Sequence, residues 1–343
     1  MLIGVGHSIA PPLYTFMEKK IKLSLALLSL FTLTLSGCSF EHEDNKEPVN
    51  PGGNTGEDNP PDDDPIIDPP VIDPPVENEK FKGYAPEGYE LSWGDEFDQT
   101  MLSENWEPMI GDGSNYGIYR WGNNEQQYYT SDNAYVEDDF LHVLALKEDV
   151  VNEREETFHY TSARLRTKGK ISTTYGYIEA RMSLPAGTGL WPAFWMLPEY
   201  NYEGRGWPVS GEIDIMEARG RILTSMCSTI HSANSNGQQA YTSRDYNFSG
   251  DEDITGLHCY GVEWTEEAFK FYVDGNLFHT VTNTTFQRNN PLYTDKSESA
   301  PFDRPFHLLI NLAIGGNFDG GKTVSDDFKE AEMLVDYVRI FHK

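Results

Sequence analysis

The sequence predicts an all-β fold, a sandwich of two antiparallel sheets formed by one domain from residue 81 to residue 343. Short segments of alternating apolar and polar residues recur through this region, and clusters of Gly, Asn, Asp and Pro separate them. Long stretches with helical periodicity are absent. The length of the region also fits a large all-β sandwich.

Five segments show the strand pattern most clearly: YIEARMSL (177–184), EIDIM (212–216), CYGVEW (259–264), FKFYVDG (269–275) and LVDYVRIF (334–341). The stretch YVDGNLFHTV predicts a hairpin, with either Asp274-Gly275 or Gly275-Asn276 at its turn.

Residues 1–37 are predicted to be an N-terminal extension followed by a lipoprotein signal peptide. A lysine-rich start after Met17 precedes a short apolar run, which ends in LSGC at Cys38. The LSGC stretch resembles the lipobox of bacterial lipoproteins, in which the Cys is lipidated. The alternative is an ordinary cleaved secretory signal in which Cys38 has no role. The resemblance predicts a lipoprotein anchored in the outer membrane, and the acids Glu41, Glu43 and Asp44 that follow Cys38 indicate that it faces the cell surface.

Residues 38–80 are predicted to be a disordered tether that begins at the lipidated Cys38. The segment is rich in Pro, Asp and Glu, and it contains repeated DPP motifs. A segment of this composition buries too little apolar surface to offset its ordering entropy.

The charge balance restricts the class of partner. The chain has 26 Lys+Arg against 55 Asp+Glu, for a formal charge of −29. Phosphates of nucleic acid would be repelled, so we expect no nucleic-acid partner. The composition suits a secreted monomer that acts on a neutral polymer, and the 18 Phe, 19 Tyr and 7 Trp could fill a β core or line a sugar-binding cleft.

Two cysteines, Cys227 and Cys259, remain in the predicted domain. An exported pair could form a disulfide, but the sequence does not show whether the two residues meet. We expect free thiols inside strands.

The stretch SGEIDIMEARG contains three acids, Glu212, Asp214 and Glu217. Side chains alternate along a strand, so Glu217 should point away from the other two. If Met216 is an extra residue in a β-bulge, Glu217 rejoins their face. Bulges are over-represented beside active sites.

Three readings of this row are open. A solvated face is one, although crowded like charges destabilise a sheet. A calcium site is another, because hard cations take carboxylates. Glycoside hydrolysis is the third, and it also explains the upstream aromatic residues. Retention needs two carboxyls about 5–5.5 Å apart. A central Asp could share a proton with the nucleophile and help to keep the acid protonated.

The bulged motif GEIDIME resembles the active-site signature of glycoside hydrolase family 16. Several further segments resemble the laminarinase branch of that family: LSWGDEFD (91–98), GNNEQQYYT (122–130), TSARLRTKGK (161–170), YGYIEARMSLPAGTGLWPAFWMLP (175–198), HCYGVEW (258–264), PFHLLINLAIGGNFDG (305–320) and VDYVRIF (335–341).

This resemblance implies a jelly-roll sandwich with an open substrate cleft on its concave sheet. It implies that Glu212 is the nucleophile, Asp214 a helper and Glu217 the acid/base. The implied substrate contacts are Trp191, Trp195, Trp207, His231, Asn124 and Arg164. Catalysis would need no cofactor. A structural calcium is implied near Glu96 and Asp336.

The implied substrate is β-1,3-glucan, mixed-linkage β-1,3/1,4-glucan, or both, cut within the chain. Related galactan hydrolases share the bulged motif, but those that act on sulfated galactans need basic residues to meet sulfate. A transglycosylase would share the whole site. A non-catalytic glucan-binding surface protein would typically have lost one of the three acids.

Overall fold

The computed structural model describes residues 81–282, 290–293, 297 and 299–343. These residues belong to one compact unit, Pro75–Lys343. The predicted signal peptide, Cys38 and the predicted tether all lie outside the described residues. Within the described ranges, no helix is long and apolar enough to cross a membrane.

The described residues form strands and two short 3₁₀ helices, Ser114–Tyr116 and Tyr119–Gly122. In chain order the strands are β1 (Glu90–Asp95), β2 (Glu107–Pro108), β3 (Tyr128–Tyr129), β4 (Ala134–Glu137), β5 (Phe140–Leu146), β6 (Val150–Val151), β7 (Thr157–Phe158), β8 (Thr161–Ser162), β9 (Arg164–Arg166), β10 (Ser172–Thr173), β11 (Gly176–Ser183), β12 (Leu190–Pro198), β13 (Glu212–Ala218), β14 (Ser225–Ala233), β15 (Gln239–Asn247), β16 (His258–Trp264), β17 (Ala268–Val273), β18 (Asn276–Thr282), β19 (Phe306–Ile314) and β20 (Glu330–His342).

Two large sheets account for most of the strands. One follows the order β18-β17-β16-β11-β20-β5-β8-β3, with β1 paired to β20 and β4 to β5. The other follows the order β15-β14-β13-β12-β19-β9-β2, with β10 paired to β19. We call the second one the cleft sheet. Strands β6 and β7 form a separate small ribbon. Pairing within the described strands is antiparallel, as predicted, except that β3 and β8 pair in parallel.

The core lies between the two large sheets. Apolar residues of β11 and β20 meet apolar residues of β12, β13 and β19 in one buried cluster. The predicted hairpin joins β17 to β18 through Asp274 and Gly275, whose φ angles are +48° and +74°. Positive φ at both central residues is what a type I′ turn requires, which explains the Asp-Gly pair.

Candidate active site

Strand β13 places Glu212, Asp214 and Glu217 in a cleft of about 670 Å³ on the outer face of the cleft sheet. Glu212 and Glu217 are half-buried, and Asp214 is buried. Ile213, by contrast, packs in the core. The prediction that the three acids share one face is therefore confirmed.

A β-bulge between Asp214 and Glu217 produces this arrangement. Met216 pairs with Phe194 of β12, whereas Asp214 pairs with the very next residue of β12, which leaves Ile215 unpaired. The extra residue towards β12 is therefore Ile215. The prediction that Met216 is the extra residue is wrong. Ile215 and Met216 both pack in the core. Because two successive residues point inward, Glu217 returns to the cleft.

His231 of β14 lies directly opposite Glu212 in the strand register. Its Nε2 atom is 3.1 Å from Oδ2 of Asp214 and 3.9 Å from Oε1 of Glu212. Its Nδ1 atom lies 2.9 Å from Nε2 of Gln239 on β15, which fixes the ring orientation. His231 therefore lies beside the acid row, although its Nε2 atom makes no well-aligned hydrogen bond to Oδ2 of Asp214.

Burial is the largest influence on the three carboxyls. It raises the pKa of Glu217, and it raises the pKa values of Glu212 and Asp214 well above their ordinary range. Glu217 further raises the pKa of Asp214, and Asp214 that of Glu212. The charge of His231 lowers the pKa of both glutamates. Burial and the crowding of like charges therefore favour a proton held within the row.

Two tryptophans of β12 form a wall beside the acids. Trp191 donates a hydrogen bond from Nε1 to Oε1 of Glu217 at 3.0 Å, and its ring stacks on Phe318 with centroids 5.0 Å apart. Trp195 donates from Nε1 to Oδ1 of Asn311 at 2.8 Å. Both rings line the cleft and are only partly buried, so each has surface available to a ligand.

Arg164 extends the same wall. Its side chain is buried, and its guanidinium carbon lies 4.5 Å from the ring centroid of Trp121 and 4.7 Å from that of Trp195. Its Nε atom has no hydrogen-bond partner among the described residues. A cation held between two indole rings, facing a cleft, can donate hydrogen bonds to a ligand hydroxyl.

The part of the chain that forms this cleft matches a known family. The family model described as glycosyl hydrolases family 16 matches residues 121–331. The chain belongs to glycosyl hydrolase family 16. It is a glycoside hydrolase, as the bulged acid motif indicated.

Individual relatives agree with this assignment. The chain is 40% identical over 266 residues to glucan endo-1,3-beta-glucosidase A1 of Niallia circulans, covering 74% of this chain but only 38% of that protein. It is 38% identical to a beta-glucanase of Rhodothermus marinus, covering 74% of this chain and 85% of the relative.

A solved structure supports the fold of the family 16 domain. The laminarinase catalytic domain from Thermotoga maritima matches with a TM-score of 0.66 and 36% identity, over 74% of this chain and 98% of that domain. The predicted all-β, jelly-roll-like sandwich is confirmed.

Of the two remaining predicted substrate contacts, one lines the cleft and the other does not. Trp207 lines the cleft, with its ring centroid 6.4 Å from that of His231. Asn124 is exposed and is not among the residues lining the cleft; its Nδ2 atom donates to Oδ1 of Asn317, which does line it. Asn124 therefore supports a cleft residue and does not itself lie in the cleft.

The sequence reasoning missed several residues that line the cleft: Trp121, Glu125, Asn311, Phe318 and Tyr241. Asn311 carried a usable signal, because it is an amide in a strand, FHLLINLAI, whose one other polar residue is His307. Trp121 directly precedes the GNNEQQYYT motif. Tyr241 had no comparable signal, since it lies in a polar stretch.

The two residues predicted near a calcium ion each pair with an arginine. Glu96 receives hydrogen bonds from Arg339 at 2.7 and 2.9 Å, one to each carboxylate oxygen. Asp336 receives one from Arg181 at 2.7 Å through Oδ2 alone. Among the described residues, the one group of three side chains with metal-ligand spacing comprises Glu212, Asp214 and His231.

The two cysteines of the domain are free thiols, as expected. Cys227 lies in β14 and Cys259 in β16, and both are buried. Cys227 pairs with Glu217 in the strand register, and burial raises the pKa of its thiol.

Proposed function

We propose that the chain is an endo-acting, retaining β-glucan hydrolase that cleaves β-1,3-glucan, mixed-linkage β-1,3/1,4-glucan, or both. The observation that carries the proposal is the row of three acids in an aromatic-walled cleft. The named activities of the relatives from Niallia circulans and Rhodothermus marinus support the choice of β-glucan.

In the first step, Glu217 gives its proton to the glycosidic oxygen. An oxygen of Glu212 bonds to the anomeric carbon at the same time, and the leaving chain departs as an alcohol. The raised pKa of Glu217 favours the protonated form that this step requires. The product is a glycosyl ester of Glu212.

In the second step, the Glu217 carboxylate takes a proton from water. The water oxygen attacks the anomeric carbon, which breaks the ester bond and frees Glu212. Asp214, held between Glu212 and His231, accepts or returns a proton as the charge on Glu212 changes. Two inversions leave the β configuration unchanged, and these steps need no cofactor.

The charges that line the cleft favour a neutral substrate. Five acids line it (Glu125, Glu212, Asp214, Glu217 and Asp245) against two arginines (Arg164 and Arg219). Even with a proton held in the acid row, a sulfated galactan would meet no excess of positive charge there. The retained acid row also favours an enzyme over a glucan-binding surface protein.

Product analysis on a polysaccharide panel tests the proposal. Laminarin, barley-type mixed-linkage glucan, cellulose, agarose and a sulfated galactan should be offered separately. We expect oligosaccharides of intermediate length from laminarin or mixed-linkage glucan and no products from cellulose. Activity on agarose alone would overturn the substrate assignment. Laminari-oligosaccharides should be offered as well, because products longer than these substrates would identify a transglycosylase.

We also propose that Cys38 carries a lipid that anchors the protein in the outer membrane, facing the cell surface. The support is the LSGC motif and the acidic, Pro-rich stretch that follows it. Labelled palmitate should be incorporated by the wild type and not by Cys38→Ala. Unlipidated, soluble wild-type protein in the periplasm would contradict the proposal. Protease shaving of intact cells tests which side the domain faces.

Two further proposals concern calcium and assembly. We propose that a structural calcium binds near Glu96 and Asp336, where it would compete with their hydrogen bonds from Arg339 and Arg181. A chelator should then lower Tm and added calcium should restore it; an unchanged Tm contradicts the site.

We propose that the protein is a monomer. Light scattering that reports a dimer would contradict this proposal.

A further inference from the structure

The cleft continues past the acids towards the edge of the cleft sheet. Glu212 lies opposite His231 of β14, and His231 lies opposite Tyr241 of the edge strand β15. Neighbouring strands lie about 4.8 Å apart, so Tyr241 is two strands, or roughly 10 Å, from Glu212. That span is about the length of a disaccharide. The other wall of the cleft lies on the opposite side of β13. It contains Trp191 and Trp195 on β12 and Arg164 on β9.

Large aromatic surfaces are exposed in this part of the cleft. Tyr241 is 65% exposed and Trp207 is 51% exposed, and both line the cleft. The His231 ring lies beside both, with centroids 5.7 Å from Tyr241 and 6.4 Å from Trp207. An exposed aromatic ring is common on a surface, but these three adjacent rings continue from the catalytic row. The Tyr241 and Trp207 rings are tilted by 43° and 50° to the His231 ring, so they form a stepped platform on which Tyr241 and Trp207 each offer a separate face to a sugar.

Polar side chains flank the platform. Gln239, Ser243 and Asp245 alternate with Tyr241 along the same face of β15 and also line the cleft. Sugars present both apolar faces and hydroxyl edges, so a ring bordered by short polar groups matches their chemistry. A protein partner would instead require a larger, more apolar patch.

We propose that Tyr241 forms a distal sugar-binding subsite on the β15 side of the acids, which takes a glucosyl residue of a β-glucan chain. This inference rests on the proposed function. The enzyme then holds its polymer on both sides of the scissile bond. Binding at Tyr241 contributes only when the substrate is long enough to reach it, so Tyr241 determines the preference for chain length.

The test compares Tyr241→Ala with Tyr241→Phe and with a matched control, Tyr200→Ala. Tyr200 is 75% exposed and is not among the residues lining the cleft. Each variant is assayed on laminari-oligosaccharides of increasing length and on laminarin, and its Tm confirms folding. Loss of one stacked ring should lower kcat/KM of Tyr241→Ala on long substrates by about tenfold, mainly through KM.

The loss should grow with chain length, whereas Tyr241→Phe and Tyr200→Ala should follow the wild type. Calorimetry with a long laminari-oligosaccharide, in a Glu212→Gln background, should show the same weakening by Tyr241→Ala without turnover. Equal losses at every length, or wild-type behaviour of Tyr241→Ala, would overturn the subsite. A wild type inactive on every β-glucan would instead overturn the proposed function.

Discussion

At the scale of single residues, the site depends on how three carboxyls share charge. Asp214 is only 2% exposed and lies between Glu212 and Glu217 along β13. Burial raises the pKa of all three, and repulsion by a neighbouring acid raises those of Glu212 and Asp214 further. The charge of His231 and the Trp191 hydrogen bond favour the ionised form of Glu217. The retained proton suits a mechanism that begins with protonation of the leaving group.

Removing either glutamate should abolish most of the activity. Glu212→Gln removes the nucleophile and Glu217→Gln removes the proton donor, so each should lower kcat by several orders of magnitude with Tm preserved. Asp214→Asn should cost less. Asp132→Asn, an exposed acid outside the cleft, is the control. A Glu212→Gln variant within tenfold of wild type would refute its role as nucleophile.

The raised pKa of Asp214 also predicts how stability changes with pH. The unfolded chain ionises this group near 3.8, whereas the folded protein retains the proton to much higher pH. Above pH 3.8 the folded state therefore binds more protons, and its stability falls as pH rises towards the folded pKa. Asp214→Asn lacks this titration.

Chemical denaturation from pH 4 to pH 8 measures this effect. The stability of Asp214→Asn relative to wild type should increase as pH rises through this window. Asp132→Asn should stay parallel to wild type. Parallel curves for Asp214→Asn would mean that Asp214 ionises normally in the folded protein.

At the scale of elements, the bulge in β13 determines which side chains reach the cleft. Sequence reasoning could predict it, because three acids at spacings of two and three satisfy alternation only if one residue is added. It could not predict which residue is unpaired, because Ile215 and Met216 are both apolar and both pack in the core.

The residues missed by sequence reasoning reach the cleft from other elements. Trp121 lies in a 3₁₀ segment and Tyr241 on the edge strand β15, while the acids are on β13. Their proximity is set by long-range pairing between strands. Asn124 illustrates the opposite error, since its motif lies near the cleft but the side chain bonds to Asn317.

Deleting Met216 tests the bulge directly. A regular strand would keep the three acids on one face, so we expect the variant to fold. Glu217 would shift along β13 relative to Trp191, and kcat should fall by at least tenfold while KM changes less. Met216→Leu keeps the residue count and is the control. Wild-type kcat in the deletion variant would show that the bulge does not position Glu217.

At the scale of the whole molecule, the two large sheets serve different tasks. The outer face of the cleft sheet carries the active site. The other sheet buries Glu179, which is 0% exposed and accepts hydrogen bonds from Tyr337, Tyr177 and the main-chain N–H of Tyr84. Tyr84, near the start of the described residues, is therefore part of the folded domain.

Truncation tests whether the hydrogen bond from Tyr84 to Glu179 stabilises the domain. A chain that begins at residue 81 should match the longer chain in Tm and in kcat/KM on laminarin. A chain that begins at residue 86 removes the Tyr84 donor and leaves a buried carboxylate less satisfied, at a cost of about 1–3 kcal/mol. Denaturant midpoints measure the difference. Equal midpoints for the two chains would contradict the role of Tyr84.

The central claim is a double displacement at Glu212, with Glu217 as acid and base, and the configuration of the first product tests it most directly. Proton NMR should follow the anomeric signals during the first minutes of laminarin hydrolysis, before mutarotation mixes them. Retention predicts that the β-anomer appears first and that the α-anomer follows only as mutarotation proceeds. Initial release of the α-anomer would contradict the mechanism.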